Sequence, residues 1–284
     1  MCGRYVVIAT YEEIEVRYYV KTKEVKEVWK PNRNIGVGAK GMVITDDKPK
    51  EVQLFTFGLT PSWAKKKLYF FNARAEGDGN KEDDPNYSGG KGIISKPSFR
   101  NAIRKQRCLI PANGFIEGPK LEKLDKPYYC YLRNEPLFSL AGIWETWVNP
   151  DGGEIEHSFA IITTVANELL QKIGHHRMPV ILSREHESLW LDKEAPLHDI
   201  TALLEPYSTK EMNAYPMDKR IKNPRAQDED LLKPIGELVI PETDFNYTTS
   251  LKLVGKGHGK RDNRPDDNKP DWSKQFSKNK EEEK

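Results

Sequence analysis

The feature that most limits what this chain can fold into is a succession of short apolar runs, rich in β-branched and aromatic residues, with few helix-length segments between them. RYVVIA at residues 4–9, GMVITD from Gly41, EVQLFTFGL from Glu51, RCLIPA from Arg107, PYYCYLR from Pro127, LFSLAGIWE from Leu137 and HSFAIITT from His157 all read as strands. Helical patterns are confined to Tyr11–Tyr19, Ala166–Ile173 and Ser183–Leu191, the last with Ser183 as N-cap ahead of Glu185 and Glu187. Strands and helices do not alternate in a βαβ rhythm, so an α+β or barrel-like sheet domain is expected. No internal repeat is visible.

A chain of 284 residues with 37% hydrophobic residues is long enough to enclose a core. No apolar run approaches the roughly 18 residues that span a bilayer, and the N-terminus lacks the layout of a signal peptide. A cytoplasmic protein with no membrane association is expected. Cys2, Cys108 and Cys130 are too few and too scattered for a disulfide framework, and no Cys/His spacing resembles a zinc site, so neither metal nor cofactor is expected. GDGNKEDDPNYSGGKG, residues 77–92, reads as a long exposed loop. From Gly255 the chain is Lys, Asp, Asn and Gly with few apolar residues, which predicts a folded domain over 1–253 and a disordered charged tail over 254–284. That tail holds nine Lys/Arg and seven Asp/Glu, so it accounts for the whole net charge of +2. Any nucleic-acid footprint on the folded part must therefore be a local basic patch.

Four motifs carry chemistry. Met1-Cys2-Gly3-Arg4 would expose Cys2 as a free N-terminal residue once Met1 is removed. Its α-amine, with a pKa near ~8, is partly unprotonated at neutral pH. An adjacent amine and thiol condense with an aldehyde, first to an imine and then to a five-membered thiazolidine. The plainer reading is a small buried residue starting a strand. Phe71-Asn72-Ala73-Arg74-Ala75-Glu76 follows Gly58-Leu59-Thr60-Pro61-Ser62-Trp63 and the basic run Lys65 to Lys67. Interleaved cations and aromatics suit single-stranded nucleic acid, although a core Trp and a solvated lysine run give the same pattern. Arg107 to Ile116 is an apolar strand that turns at Asn113-Gly114 and then presents Glu117, and Gly174-His175-His176-Arg177-Met178-Pro179 places two histidines between a helix and a strand. Each has a purely structural reading as well.

Together, MCGRY, GLTPSW, NARAE, RCLIPANGFIE, AGIWETW, ITTVAN and HHRMPVIL resemble, in order, the SRAP family, the SOS-response-associated peptidases or abasic-site processing proteins. The resemblance covers roughly residues 1–240. It implies a single α+β domain, a distorted β-barrel with peripheral helices, monomeric, with a groove for single-stranded DNA containing abasic sites. It implies that Cys2 forms the thiazolidine, that Asn72 orients the amine and sugar, that Glu117 lies beside the amine, and that His175 moves protons on the sugar. Arg74 would bind phosphate, with Arg4, Trp63 and Thr164 also near the DNA. A cytoplasmic location, on the nucleoid when DNA is damaged, follows from the same resemblance. The chain departs from the family at Phe57, where Trp is usual, and at Gly36-Val37-Gly38, where Ala-Pro-Gly is usual. It departs again at Gly118, where the glutamate is usually followed by Trp, and in the lengthened loop after Glu76.

Three readings stay open on the residues. The first is a DNA–protein crosslinking enzyme, with weak β-elimination (AP-lyase) activity implied by its imine. The second is an N-terminal-nucleophile peptidase that removes Met1 or cleaves other substrates. The third is a non-catalytic DNA binder in which Cys2 plays no part.

Overall fold

A computed structural model describes residues 2–242. In chain order its strands are β1 (Arg4–Val7), β2 (Asn32–Gly36), β3 (Lys40–Thr45), β4 (Gln53–Phe57), β5 (Asn72–Arg74), β6 (Arg107–Ala112) and β7 (Gly114–Glu117). They continue with β8 (Tyr128–Leu132), β9 (Phe138–Val148), β10 (Ile155–Val165), β11 (Arg177–Pro179), β12 (Ile181–Leu182) and β13 (Met212–Pro216). Five of them close on themselves: β10 pairs β4, β4 pairs β3, β3 pairs β6, β6 pairs β9, and β9 returns to β10. Only the β10–β4 contact in this ring is parallel. A closed ring leaves no unpaired edge, and its interior is filled by side chains. Here Phe57 stacks on Phe159 with centroids 5.2 Å apart and meets the Tyr5 ring edge-on at 5.6 Å. Phe57 thus fills the core position where the family usually has Trp. Gly41 is required on the ring because a Cβ there would lie 2.1 Å from the Tyr5 hydroxyl.

The second layer is an antiparallel sheet in the order β13-β8-β7-β1-β2. The domain is α+β, with helices at its periphery. Helix Tyr11–Tyr18 begins at a capping box in which the Thr10 side chain accepts from Glu13 N and the Glu13 carboxylate accepts from Thr10 N. Helix Arg184–Leu191 starts at Ser183 as expected, but Ser183 makes no cap bond; its hydroxyl meets His186 Nδ1 at 2.9 Å.

Two of these strands matter most for the site. β10 is 11 residues long. Its first half closes the barrel against β9, and its second half carries β5 in parallel (Ile161↔Asn72, Thr163↔Arg74) and β11 antiparallel (Val165↔Arg177). β7 lies between β1 and β8, so the end of β7 brings Glu117 beside the start of the chain. Among the described residues no helix is long and apolar enough to cross a membrane. The expected boundary at residue 253 and the expected disordered tail lie outside the described residues.

The segment 77–92 is a loop held at several points. It is mostly exposed, but Gly77 and Asn80 are buried and Asp83 is half-buried. Lys96 Nζ pairs with Asp78 at 2.7 Å, and Lys91 Nζ bonds the Leu204 carbonyl at 2.9 Å. The buried Asn80 side chain clamps the backbone of Asp84 in both directions, at 2.9 and 2.8 Å. The loop is thus pinned to the body and does not run free in solvent.

Candidate active site

Cys2, two residues before β1, is fully buried. Burial raises its thiol well above the ordinary range, and the nearby Glu117 carboxyl raises it further. Asn72, at the start of β5, holds the same residue from the other side: its Nδ2 donates to the Cys2 carbonyl at 2.9 Å and to the Phe71 carbonyl at 3.0 Å. Two carbonyl partners fix which end of the amide is nitrogen. The Asn72 Oδ1 is then a buried acceptor with no hydrogen bond of its own among the described residues.

Glu117 ends β7 with a side chain only 5% exposed, and burial pushes its carboxyl up to about 7. His175 follows helix Glu168–Ile173, whose N-cap Asn167 accepts from Leu170 N at 3.1 Å and whose C-cap Gly174 takes the left-handed conformation (φ 84°). That turn delivers His175 directly onto Glu117, Nε2 to Oε2 at 3.3 Å. The other ring nitrogen, Nδ1, lies 2.6 Å from the Gly118 carbonyl, which only accepts, so Nδ1 carries the proton and Nε2 presents a lone pair. Burial holds His175 down to about 3. At neutral pH the pair therefore holds a neutral imidazole against a carboxyl raised toward the neutral range, a pair suited to moving one proton at a time.

Above them opens a cavity of about 790 Å³, with Arg4, Arg74, His176, Arg177, Lys120 and Lys222 among its walls. Arg177 is 1% exposed and pairs with the equally buried Glu76 at 2.9 Å, yet its Nε and Nη1 have no hydrogen-bond partner among the described residues. The Arg74 Nε is likewise unpaired. Buried donors left unsatisfied cost roughly 1–3 kcal/mol each, and they persist where a ligand completes them. Arg4 is held by Asn34 Oδ1 at 2.8 Å and the Lys222 carbonyl at 3.3 Å. The wall is thus a basic pocket, a fit for anionic oxygens.

A model of the SOS response associated peptidase (SRAP) family matches residues 1–224. The chain belongs to that family. It is 30% identical over 239 residues to the abasic site processing protein YoqW of Bacillus subtilis (strain 168), covering 82% of this chain and 99% of the relative. It is 26% identical over 285 residues to the abasic site processing protein HMCES of Gallus gallus, covering 87% of this chain and 80% of the relative. Among solved structures, a Bacteroides thetaiotaomicron protein superposes with a TM-score of 0.70 at 30% identity, over 83% of this chain and all of that one.

Of the residues expected at an SRAP site, Cys2, Asn72, Glu117 and His175 are brought together, with Arg4 and Arg74 on the adjoining wall. Thr164 is not on the wall: it is 1% exposed, and its hydroxyl donates to Glu76 Oε1 at 3.3 Å. Its place is behind the site, among the groups that hold Arg177. Trp63 also lies outside the cavity lining, 58% exposed on the segment between β4 and β5. Lys67 of the adjacent basic run is engaged by Glu156 at 2.8 Å. Arg177, within HHRMP, is a candidate that the sequence alone does not mark, because its partner Glu76 lies 101 positions away along the chain. The glycine after Glu117 also has a reason. A Cβ at Gly118 would lie 1.8 Å from the Lys123 carbonyl, so the loop over Pro119–Asp125 occupies the space that the usual tryptophan needs.

Proposed function

We propose that this protein captures abasic sites in single-stranded DNA as a covalent thiazolidine through Cys2, after removal of Met1, and acts as a monomer. The observation that carries the reading is the convergence of a coupled carboxyl–imidazole pair on the second residue of the chain, beside a basic cavity with unpaired guanidinium donors. The names of the relatives support the same lesion.

The chemistry assigns each group a task. The cyclic sugar opens when a proton is moved from its C1 hydroxyl to its ring oxygen, a transfer for His175. The neutral α-amine then adds to the aldehyde and expels water, giving an imine. Glu117 takes the amine's proton and returns one to the departing oxygen. The thiol adds across the carbon–nitrogen double bond, its proton passing to nitrogen, and the ring closes. A thiol kept protonated by burial suits this order, with amine first and thiol second. A cysteine peptidase needs a thiolate at the outset, which an electropositive surrounding would provide and burial beside Glu117 opposes. The buried Asn72 Oδ1 is placed to orient the amine or a sugar hydroxyl.

Intact mass after mixing with an abasic oligonucleotide tests the proposal. The expected product is the sum of the two masses less one water. No adduct, or an undiminished stable adduct from Cys2→Ala, rejects it.

A further inference from the structure

The arginine that faces the cavity from β5 is already occupied. Arg74 Nη2 donates to Asp83 Oδ1 at 2.7 Å and to the Asn80 carbonyl, both from the loop 77–92. The same Asp83 carboxylate stands 3.5 Å from His176 Nε2 and 3.7 Å from Lys120 Nζ, so one acidic side chain lies among three basic groups of the cavity wall. Its side chain is 13% exposed. Its backbone is left-handed, φ 58°, which disfavours most side chains and is best tolerated by Asn, Asp and Gly. The clamp of Asn80 on Asp84 and the anchors at Asp78 and Lys91 hold this conformation. A pinned loop therefore delivers a carboxylate onto Arg74 in the cavity wall.

We propose that Asp83 is a specificity-determining residue, an internal anion that a DNA phosphate must displace from Arg74 before the strand can settle in the cavity. This rests on the reading of the cavity as a single-strand site. The consequence is discrimination against undamaged DNA. An intact strand gains only an exchange of one anion for another at Arg74, so it binds weakly. An abasic strand goes on to a covalent bond at Cys2, which makes the displacement lasting. Asp83 also reduces counterion release on binding, because Arg74 carries its own counter-charge before DNA arrives.

The test is the affinity of an undamaged single-stranded oligonucleotide, measured against salt, for the full chain and for Asp83→Asn. Asparagine keeps the left-handed backbone and the shape while removing the charge. The expected result is binding tighter by about threefold to fivefold at low salt, with the logarithmic salt slope steeper by about 0.7, one single-strand phosphate contact. Asp83→Ala, which also removes the hydrogen bond to Arg74, should change affinity in the same direction. In an Arg74→Ala background the gain from Asp83→Asn should shrink toward nothing, since the guanidinium it competes for is gone. Unchanged or weaker binding by both Asp83 variants overturns the proposal and makes Asp83 a support for Arg74. Because undamaged DNA cannot form the adduct, this readout is independent of Cys2. Tighter binding without any adduct on abasic DNA would uphold Asp83 and reject the crosslinking reading alone.

Discussion

Two cavities of similar size flank the barrel, and the difference between them is in how their arginines are satisfied. In the cavity of about 860 Å³ by helix Tyr11–Tyr18, Arg17 spends every nitrogen on protein: Nε on the Leu137 carbonyl, Nη1 on Glu187, and Nη2 on Glu135 and Glu187. Glu187 in turn accepts from Ser139 at 2.6 Å. In the cavity over Cys2, two nitrogens of Arg177 and one of Arg74 are buried without a hydrogen-bond partner among the described residues, while Glu117 Oε2 and His175 Nε2 stand 3.3 Å apart. A saturated polar cluster holds helices to a sheet; an unsaturated one is incomplete until something binds. Volume alone does not separate the two, since the larger cavity is the saturated one.

The comparison breaks most sharply at chemistry. Cys2→Ala should abolish the adduct, as should any residue retained ahead of Cys2, because a peptide nitrogen forms no imine; gel shift under denaturing conditions reads both. Next in size, Glu117→Gln and His175→Ala should each slow adduct formation by roughly 10²–10⁴-fold with DNA affinity nearly intact. A substrate that presents a free aldehyde needs no ring opening and should restore the histidine variant more than the glutamine one. Equal and small losses for both would mean that the pair is not the proton carrier.

The two arginine clusters should then dissociate in opposite senses. Arg17→Ala strands Glu187, a largely buried carboxylate, and leaves Glu135 to Arg184 alone, and it should cost about 3 kcal/mol in urea unfolding without changing the rate of adduct formation. Arg74→Ala removes a side chain that is 30% exposed and should cost under about 1 kcal/mol. It should weaken all single strands alike and flatten the salt slope. If Arg17→Ala lowers DNA affinity in a variant that stays folded, the first cavity is not merely structural.

Much of this was legible in the chain because the strands that position the site are its most apolar ones. RCLIPA coincides with β6, and the turn at Asn113-Gly114 leads into the strand that ends in Glu117. What was not legible depended on partners distant in sequence. NRNIG at β2 and MNAYP at β13 lack an alternating apolar pattern and become strands only by pairing with β1 and β8. Thr164 reads as a groove residue until the position of Glu76 is known, since β10 is buried along its whole second half. Composition marked 77–92 as a loop, but nothing in a Gly/Asp-rich string says that one of its carboxylates returns to Arg74. The closeness of Glu117 to Cys2 is likewise a product of β1 pairing with β7, more than 100 residues apart.

The last expected effect is the most direct probe of the Glu117–His175 pair, because it needs no DNA. Burial raises the folded Glu117 to about 7 from an ordinary value near 4.5, so between those values the folded state keeps a proton that the unfolded chain has lost. The stability this contributes is complete below pH 4.5 and disappears as pH rises through about 7. Burial lowers the folded His175 to about 3 from 6.5, so its contribution is complete above pH 6.5 and disappears as pH falls toward 3. From pH 4.5 to 6.5 the two slopes oppose each other. Subtracting the wild-type stability curve from that of Glu117→Gln cancels every group common to both and leaves the glutamate alone. The difference should move in favour of the variant as pH rises from 4.5 to 7, by no more than about 1.4 kcal/mol per pH unit, the limit for one proton. His175→Gln should give a difference of the opposite slope, favouring the variant as pH falls below 6.5. Chemical unfolding at half-unit pH steps measures both, and two flat difference curves would place the titrating pair elsewhere in the molecule.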